Sequence, residues 1–305
     1  MRGVATVRRT VGPGAAEGEC QRCDRPAFAA LQRCAELGAV ESVPRKVARL
    51  AAAVMVLLLS AHSSTALAAD DEAEPSVTPY RPTVSDPATL SAPGWLEGEF
   101  GGLRSWNQDH SRDDSVPYLL KYAFDENYGL LLGGNAYQKS QAPDGSAQSG
   151  FGDTMLEWKQ RFPVDEHLAF GIEAGVIAPT AGHDLGVGKP AWVVNGILSA
   201  DLSAVHVDVN VAGEHMTSHP AGVSSLQSTW AAAASTALAE KWGTAFELSG
   251  TYQRGVATQS QALLAFTYNV SNRLVLDAGG IYGLAHEAHD RSLFAGATVL
   301  IGRLH

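Results

Sequence analysis

From residue 95 onward the chain reads as short runs of alternating apolar and polar residues, separated by connections that are in turn short and long. Trp242, Thr244, Phe246, Leu248, Gly250 and Tyr252 share one face of an extended strand, and Gly243, Ala245, Glu247, Ser249, Thr251 and Gln253 the other. The same period of two runs through Ala262 to Val270 and through Val205 to Ala212. No segment beyond the leader sustains apolar residues at helical spacing. Twelve such runs are predicted, at 95–105, 116–124, 127–138, 150–162, 167–178, 190–200, 204–214, 225–238, 241–253, 260–270, 272–283 and 292–303. The second, fourth, sixth, eighth and tenth joints are tight: Asp125-Glu126, Pro163 to Glu166, Asp201 to Ser203, Ala239-Glu240 and Ser271. The others, 106–115, 139–149, 179–189, 215–224, 254–259 and 284–291, are mostly longer and polar. In an up-and-down meander alternate joints fall at the same end. All tight turns therefore gather at one end and all long loops at the other. An even strand number with that asymmetry predicts an all-β, up-and-down antiparallel transmembrane β-barrel of the bacterial outer-membrane type. A soluble β-sandwich alternates too, but has no reason to sort its loops by length.

The faces carry the same implication. In the run 150–162, Thr154, Leu156, Trp158 and Phe162 are expected to face lipid, interrupted by Gln160, with Asp153, Met155, Glu157, Lys159 and Arg161 facing inward. Four charges on one inner face fit a polar lumen and not a dry sandwich core. Tyr118, Tyr128, Trp192, Trp242, Tyr252, Tyr268 and Tyr282 lie near run ends, where an outer-membrane barrel carries aromatic girdles.

Charge and cysteine divide the 305-residue chain in two. Residues 1–69 hold nine basic and five acidic residues and all three cysteines, Cys20, Cys23 and Cys34. The remainder has 13 basic and 27 acidic residues, a formal charge of −14. That field excludes nucleic acid as a partner. Its lack of cysteine excludes a disulfide scaffold, a thiolate metal site and a cysteine nucleophile there. The boundary is explained by residues 43–69. Arg45-Lys46 and Arg49 precede the apolar run Leu50 to Leu59, followed by polar His62-Ser63-Ser64-Thr65 and the small-residue pattern Ala66-Leu67-Ala68. This is the order of a cleaved signal peptide. The apolar run is well short of the ~20 residues a spanning helix needs. Export signals begin chains, so translation is expected to start near Val43, leaving 1–42 as an upstream gene-calling artefact. Residues 70–94, with Pro75, Pro79, Pro82, Pro87 and Pro93, are expected to be a periplasmic tail or a plug, ahead of a barrel domain over 95–305.

Three stretches resemble a known family. Ser149-Gly150-Phe151-Gly152-Asp153 leads into Glu157-Trp158-Lys159-Gln160-Arg161-Phe162, and Gly171 to Gly182 follows with Pro179-Thr180-Ala181-Gly182. Near the end stand Leu274-Val275-Leu276-Asp277-Ala278-Gly279-Gly280 and Gly283-Leu284, and near the start Tyr80-Arg81-Pro82. In order and spacing these are similar to the outer-membrane transporter family associated with the phenol meta-cleavage degradation pathway, over roughly residues 80–304. Gln160 departs from that family's usual Tyr, and Leu304-His305 from its usual terminal aromatic residue, which the barrel-assembly machinery is thought to read. The resemblance implies a barrel handled by that machinery in an outer-membrane lipid environment, and transport of small aromatic or hydrophobic molecules.

The residues themselves also point to passage of a small-molecule solute. A twelve-stranded barrel lies between filled small barrels and the roughly 16–18-stranded porins with wide channels, so a narrow or partly plugged passage is expected. Its lining is expected to include Glu97, Glu99, Lys121, Asp153, Glu157, Lys159, Arg161, Glu173, Asp208, Glu247 and Asp277. The acidic excess should disfavour anions, unless these charges pair across the lumen and fill it. The competing readings are a non-transporting structural or adhesive barrel and an outer-membrane esterase. The chain lacks a Gly-x-Ser-x-Gly elbow, and no catalytic residue or cofactor is expected. His215 with His219, and His286 with His289, are read as solvated loop histidines in preference to a metal site.

Overall fold

The computed structural model describes residues 75–182, 185–285 and 290–304. The leader at 43–69, the segment before it and the His286 and His289 pair lie outside the described residues. Thirteen strands form a single sheet, and no described residue is helical. They are β1 (Trp95–Trp106), β2 (Arg112–Ala123), β3 (Tyr128–Gln141), β4 (Ala147–Gly150), β5 (Thr154–Pro163), β6 (Leu168–Ala178), β7 (Ala191–Leu202), β8 (Val205–Met216), β9 (Leu226–Ala237), β10 (Trp242–Gln253), β11 (Gln259–Ser271), β12 (Leu274–Gly283) and β13 (Arg291–Arg303). Every neighbouring pair is antiparallel. Strand β1 pairs with both β2 and β13, and β2 with β3, so the sheet closes on itself and leaves no edge along the wall. Strand β4 pairs only with the tip of β3, so the closed wall is a twelve-stranded barrel.

All twelve expected runs are strands, and the loop asymmetry is present. The tight turns occupy 124–127, 164–167, 203–204, 238–241 and 272–273. Ser203 takes a φ of 61° in the two-residue turn. The chief differences lie at the long-loop end. There β2 starts at Arg112, not near Val116, and the 139–149 connection is itself the hairpin β3–β4. Both additions are polar and lack the apolar alternation that marks a strand in sequence. Backbone ladders to β1 and β3 hold them extended all the same.

The alternation of the wall is that of a barrel in lipid. Along β5, Leu156, Trp158 and Phe162 are exposed, while Met155, Glu157 and Lys159 are buried. Along β7, Trp192 and Val194 are exposed and Val193, Asn195 and Ile197 buried. Charge inside and apolar surface outside is the reverse of a soluble protein. At the tight-turn end Phe124, Tyr128 and Trp158 stack with centroids 5.2–6.2 Å apart, and Trp242 packs on Tyr268 at 4.8 Å, as expected of a girdle.

Candidate functional site: the barrel interior

A Pro-rich segment cannot join a ladder, so the backbone N–H groups of residues 77–88 need other acceptors wherever they are removed from water. The inward side chains of the wall supply them. The Glu97 carboxylate on β1 accepts from the Thr78 N–H at 3.0 and 3.2 Å. Glu99, two residues further on the same face, accepts from the N–H groups of Tyr80 and Arg81 at 2.7 and 3.0 Å. Four strands round the wall, Glu247 of β10 accepts three bonds at one oxygen, from Val84 N–H, Ser85 N–H and Ser85 Oγ, at 2.8–2.9 Å. Asn210 of β8 forms a reciprocal pair with the backbone of Asp86, both bonds 2.9 Å. Ser199 Oγ of β7 accepts from Ala88 N–H at 2.7 Å and donates to Asp208. Partners on strands from around the wall thus converge on one segment, which runs through the inside of the barrel.

Two side chains of the segment are seated individually. The Arg81 guanidinium donates from Nε and Nη2 to the two oxygens of Asp277 on β12, at 2.9 and 2.8 Å. This bidentate pair is nearly solvent-free. Gly101 and Gly296 make room for it: a Cβ at either would lie 2.4–2.6 Å from guanidinium atoms. Asp277, Gly296 and Gly101 are successive register partners across β12, β13 and β1, so one row of the wall forms the whole socket. The Tyr80 ring lies between two ammonium groups, Lys121 Nζ and Lys159 Nζ, each 3.9 Å from its centroid. Lys121 also binds Glu97 and Glu99 at 2.6 Å, and Lys159 binds Glu173 at 3.2 Å and donates to the Pro87 carbonyl.

These bonds place most of the expected lining residues in one network. Glu97, Glu99, Lys121, Lys159, Glu173, Glu247 and Asp277 share the buried interior, Asp208 reaches the segment through Ser199, and Glu157 helps line a cavity of about 30 Å³ beside Arg81, Asp86 and Glu99. That space holds on the order of one water. The fully buried acids and lysines are 0–2 % exposed, a value that side chains bordering an open aqueous channel do not have. Two residues stand apart. Arg161 is half-buried beyond Lys159 toward the tight turns. Asp153 precedes β5 and is not on it; its oxygens accept from Ala181 and Val187 N–H, fastening the 179–190 loop. The described histidines His215 and His219 are exposed.

Sequence reading assigns no role to Asn195, Ser199, Asn210, Gly101 or Gly296. The two glycines carry a signal, because a strand glycine on an inward position next to charge marks close approach of another group. Which group approaches depends on the path of residues 77–88, and no periodicity encodes that path.

No family model and no curated protein sequence matches the chain. Solved structures do. The COG4313 outer membrane channel from Pseudomonas putida F1 is 14% identical with a TM-score of 0.57, over 70% of this chain and 98% of that one. KdgM porin in complex with disordered oligogalacturonate is 9% identical, TM-score 0.46, over 68% and 99%. The CymD monoaromatic hydrocarbon channel is 9% identical, TM-score 0.43, over 70% and 90%. At the identity of the first, the likeness is one of fold, and the fold of this chain is the outer-membrane β-barrel.

Proposed function

We propose that this protein is an outer-membrane channel for passive flux of small molecules, closed at rest by residues 75–94. The observation that carries this reading is how the interior is filled. At twelve strands the interior is wider than in the roughly eight-stranded barrels that wall side chains alone can fill. Here a separate length of backbone occupies the interior, held by at least eight polar bonds to inward side chains, with Tyr80, Ala88 and Leu90 as its buried apolar residues. Polar bonds of this kind exchange for bonds to water when the segment leaves, so its release costs far less than opening an apolar core of equal size. Once vacated, the interior would present Glu97, Glu99, Glu157, Glu173, Asp208, Glu247 and Asp277 against Lys121, Lys159 and Arg161. That lining repels anions and admits neutral or cationic solutes.

The motifs shared with the phenol-pathway transporters support aromatic or hydrophobic compounds as solutes, and the P. putida structure is itself named a channel. The protein would reach the membrane through the leader at 43–69 and the barrel-assembly machinery. Planar-bilayer recording of the refolded protein tests the reading. The full chain should show low conductance with brief openings, and a variant lacking residues 70–94 a sustained, larger and cation-preferring conductance. Absence of current and of solute flux in both forms would leave a structural barrel. Hydrolysis of a short-chain ester that an active-serine inhibitor abolishes would instead make it an esterase.

A further inference from the structure

The outer wall is not uniform at the long-loop end. On most of the circumference its outward residues are uncharged: Trp192 on β7, Leu226 on β9 and Tyr252 on β10 are all exposed there. From β12 through β13, β1 and β2 to β3 the pattern changes. Two adjacent outward rows of the ladder read Tyr282, Arg291, Trp106, Arg112 and Gly280, Leu293, Arg104, Asp114, Lys139. Four of the 13 basic residues beyond residue 69 therefore stand together on one sector of the outer face. Arg104 is half-exposed and bonds Asp114 at 2.5 Å, and Arg112 lies 3.4 Å from the same carboxylate. Asp114 is the one acid in these rows. Asp113 is on the other face, where Asn107 binds it, and Asp290 in the preceding loop accepts from the Gln108 N–H. The sector keeps a net positive charge in a domain of net charge −14.

Immediately below Arg291 the wall is hollowed. A groove of about 630 Å³, floored at Gly280 and bordered by Trp106, Phe246, Leu264, Tyr282 and Leu293, has Arg291 at its upper end. A cationic rim over an apolar groove, at the level of the aromatic residues Trp106 and Tyr282, matches a lipid whose acyl chain lies in the groove and whose head group is a phosphate. We propose that this sector is a binding site for a phosphorylated glycolipid of the outer leaflet, with Arg104, Arg112, Arg291 and Lys139 on the phosphates and the groove on one acyl chain. Long loops of such barrels face outward from the cell, so the site faces the outer leaflet. Complementary charge argues for this occupant, since Asp114 is one acid against four basic residues and an uncharged or zwitterionic lipid would leave the excess positive charge unbalanced. The site depends on the barrel's orientation in the membrane and is independent of whether it conducts.

The test uses the full refolded protein in detergent, with lipid retention read by native mass spectrometry and by the shift in Tm. Diphosphorylated lipid A should be retained and should raise Tm; the same lipid with its phosphates removed should be retained at least tenfold less. A juxtamembrane basic residue contributes about fivefold to anionic-lipid affinity, so Arg104→Ala/Arg112→Ala/Arg291→Ala should weaken retention by roughly 10²-fold. The single variant Arg291→Glu, checked for heat-modifiable migration, gives the same sign if the triple variant refolds poorly. Equal retention of phosphorylated and dephosphorylated lipid would overturn the proposal. So would displacement of the lipid by millimolar inorganic phosphate, which would mean a simple anion site.

Discussion

Strands β5 and β9 face the same interior and receive the same segment by opposite means. β5 presents long charged side chains, Glu157 and Lys159, and the segment is met at a distance by Lys159 reaching Pro87 and the Tyr80 ring. β9 presents Ala231 and Ala233, both buried, with Asn210 and Asp208 of β8 opposite them on one side and Ser249 and Glu247 of β10 on the other. Residues 84–86 bond to Glu247 and Asn210, the strands either side of β9, so the backbone crosses the space that its small side chains leave open. One wall recognises by charge, the other by absence. A segment with few apolar residues can be held firmly only if both conditions are met, because each buried N–H left without its acceptor costs about 1–3 kcal/mol.

Removing a charged partner of the segment, on whichever strand it stands, should have the larger effects. Asp277→Asn leaves the Arg81 guanidinium buried without its counter-charge, which typically costs about 3–5 kcal/mol. The expected result is a hundredfold or greater rise in open probability in bilayers, with the refolded barrel otherwise intact. Glu247→Gln removes the charge from an acceptor of three bonds, and hydrogen bonds to charged groups contribute about 1.5–3 kcal/mol. Open probability should rise by roughly tenfold, and hydrogen exchange of the Val84 and Ser85 amides should quicken with it. Ala233→Leu tests the permissive side. Its added side chain projects into the room taken by the segment, and overpacking of this kind costs about 1–3 kcal/mol. It should open the channel without altering its ion preference, whereas Glu247→Gln should reduce cation preference. The smallest effect is expected on the outer face, where Trp158→Ala loses stacking against Tyr128 worth about 0.5–1.5 kcal/mol. Thermal stability should fall slightly and conductance should stay unchanged.

How much of this is legible in the sequence follows from what carries periodic information. Strand count, closure and the inward placement of residues such as Glu157, Lys159 and Glu173 follow from a period of two and a rhythm of turns, because lipid on one side and polar groups on the other enforce alternation at every residue. The ends of β2 and β3 escape such a reading because Arg112 to Ser115 and the β4 hairpin stand beyond the apolar belt, where nothing enforces it. Asp153 has the parity of β5 and so reads as part of that strand, yet it serves the 179–190 loop. The interior arrangement is hidden for a different reason. Glu97 and Lys121 are opposite each other in register and could be paired on paper, but Arg81 and Asp277 are 196 residues apart and joined by no repeating pattern. Proline content shows only that residues 70–94 do not form a wall strand.

Closure of the barrel from within by residues 75–94 can be tested by tethering them. The chain beyond residue 69 has no cysteine, and the Ala88 N–H bonds the Ser199 hydroxyl at 2.7 Å, so Ala88→Cys/Ser199→Cys introduces the only two thiols beyond residue 69. Single-channel current of the refolded double variant should lose its openings on oxidation and regain them when reductant is added to the same bilayer. Openings that persist unchanged with the disulfide formed would contradict the account.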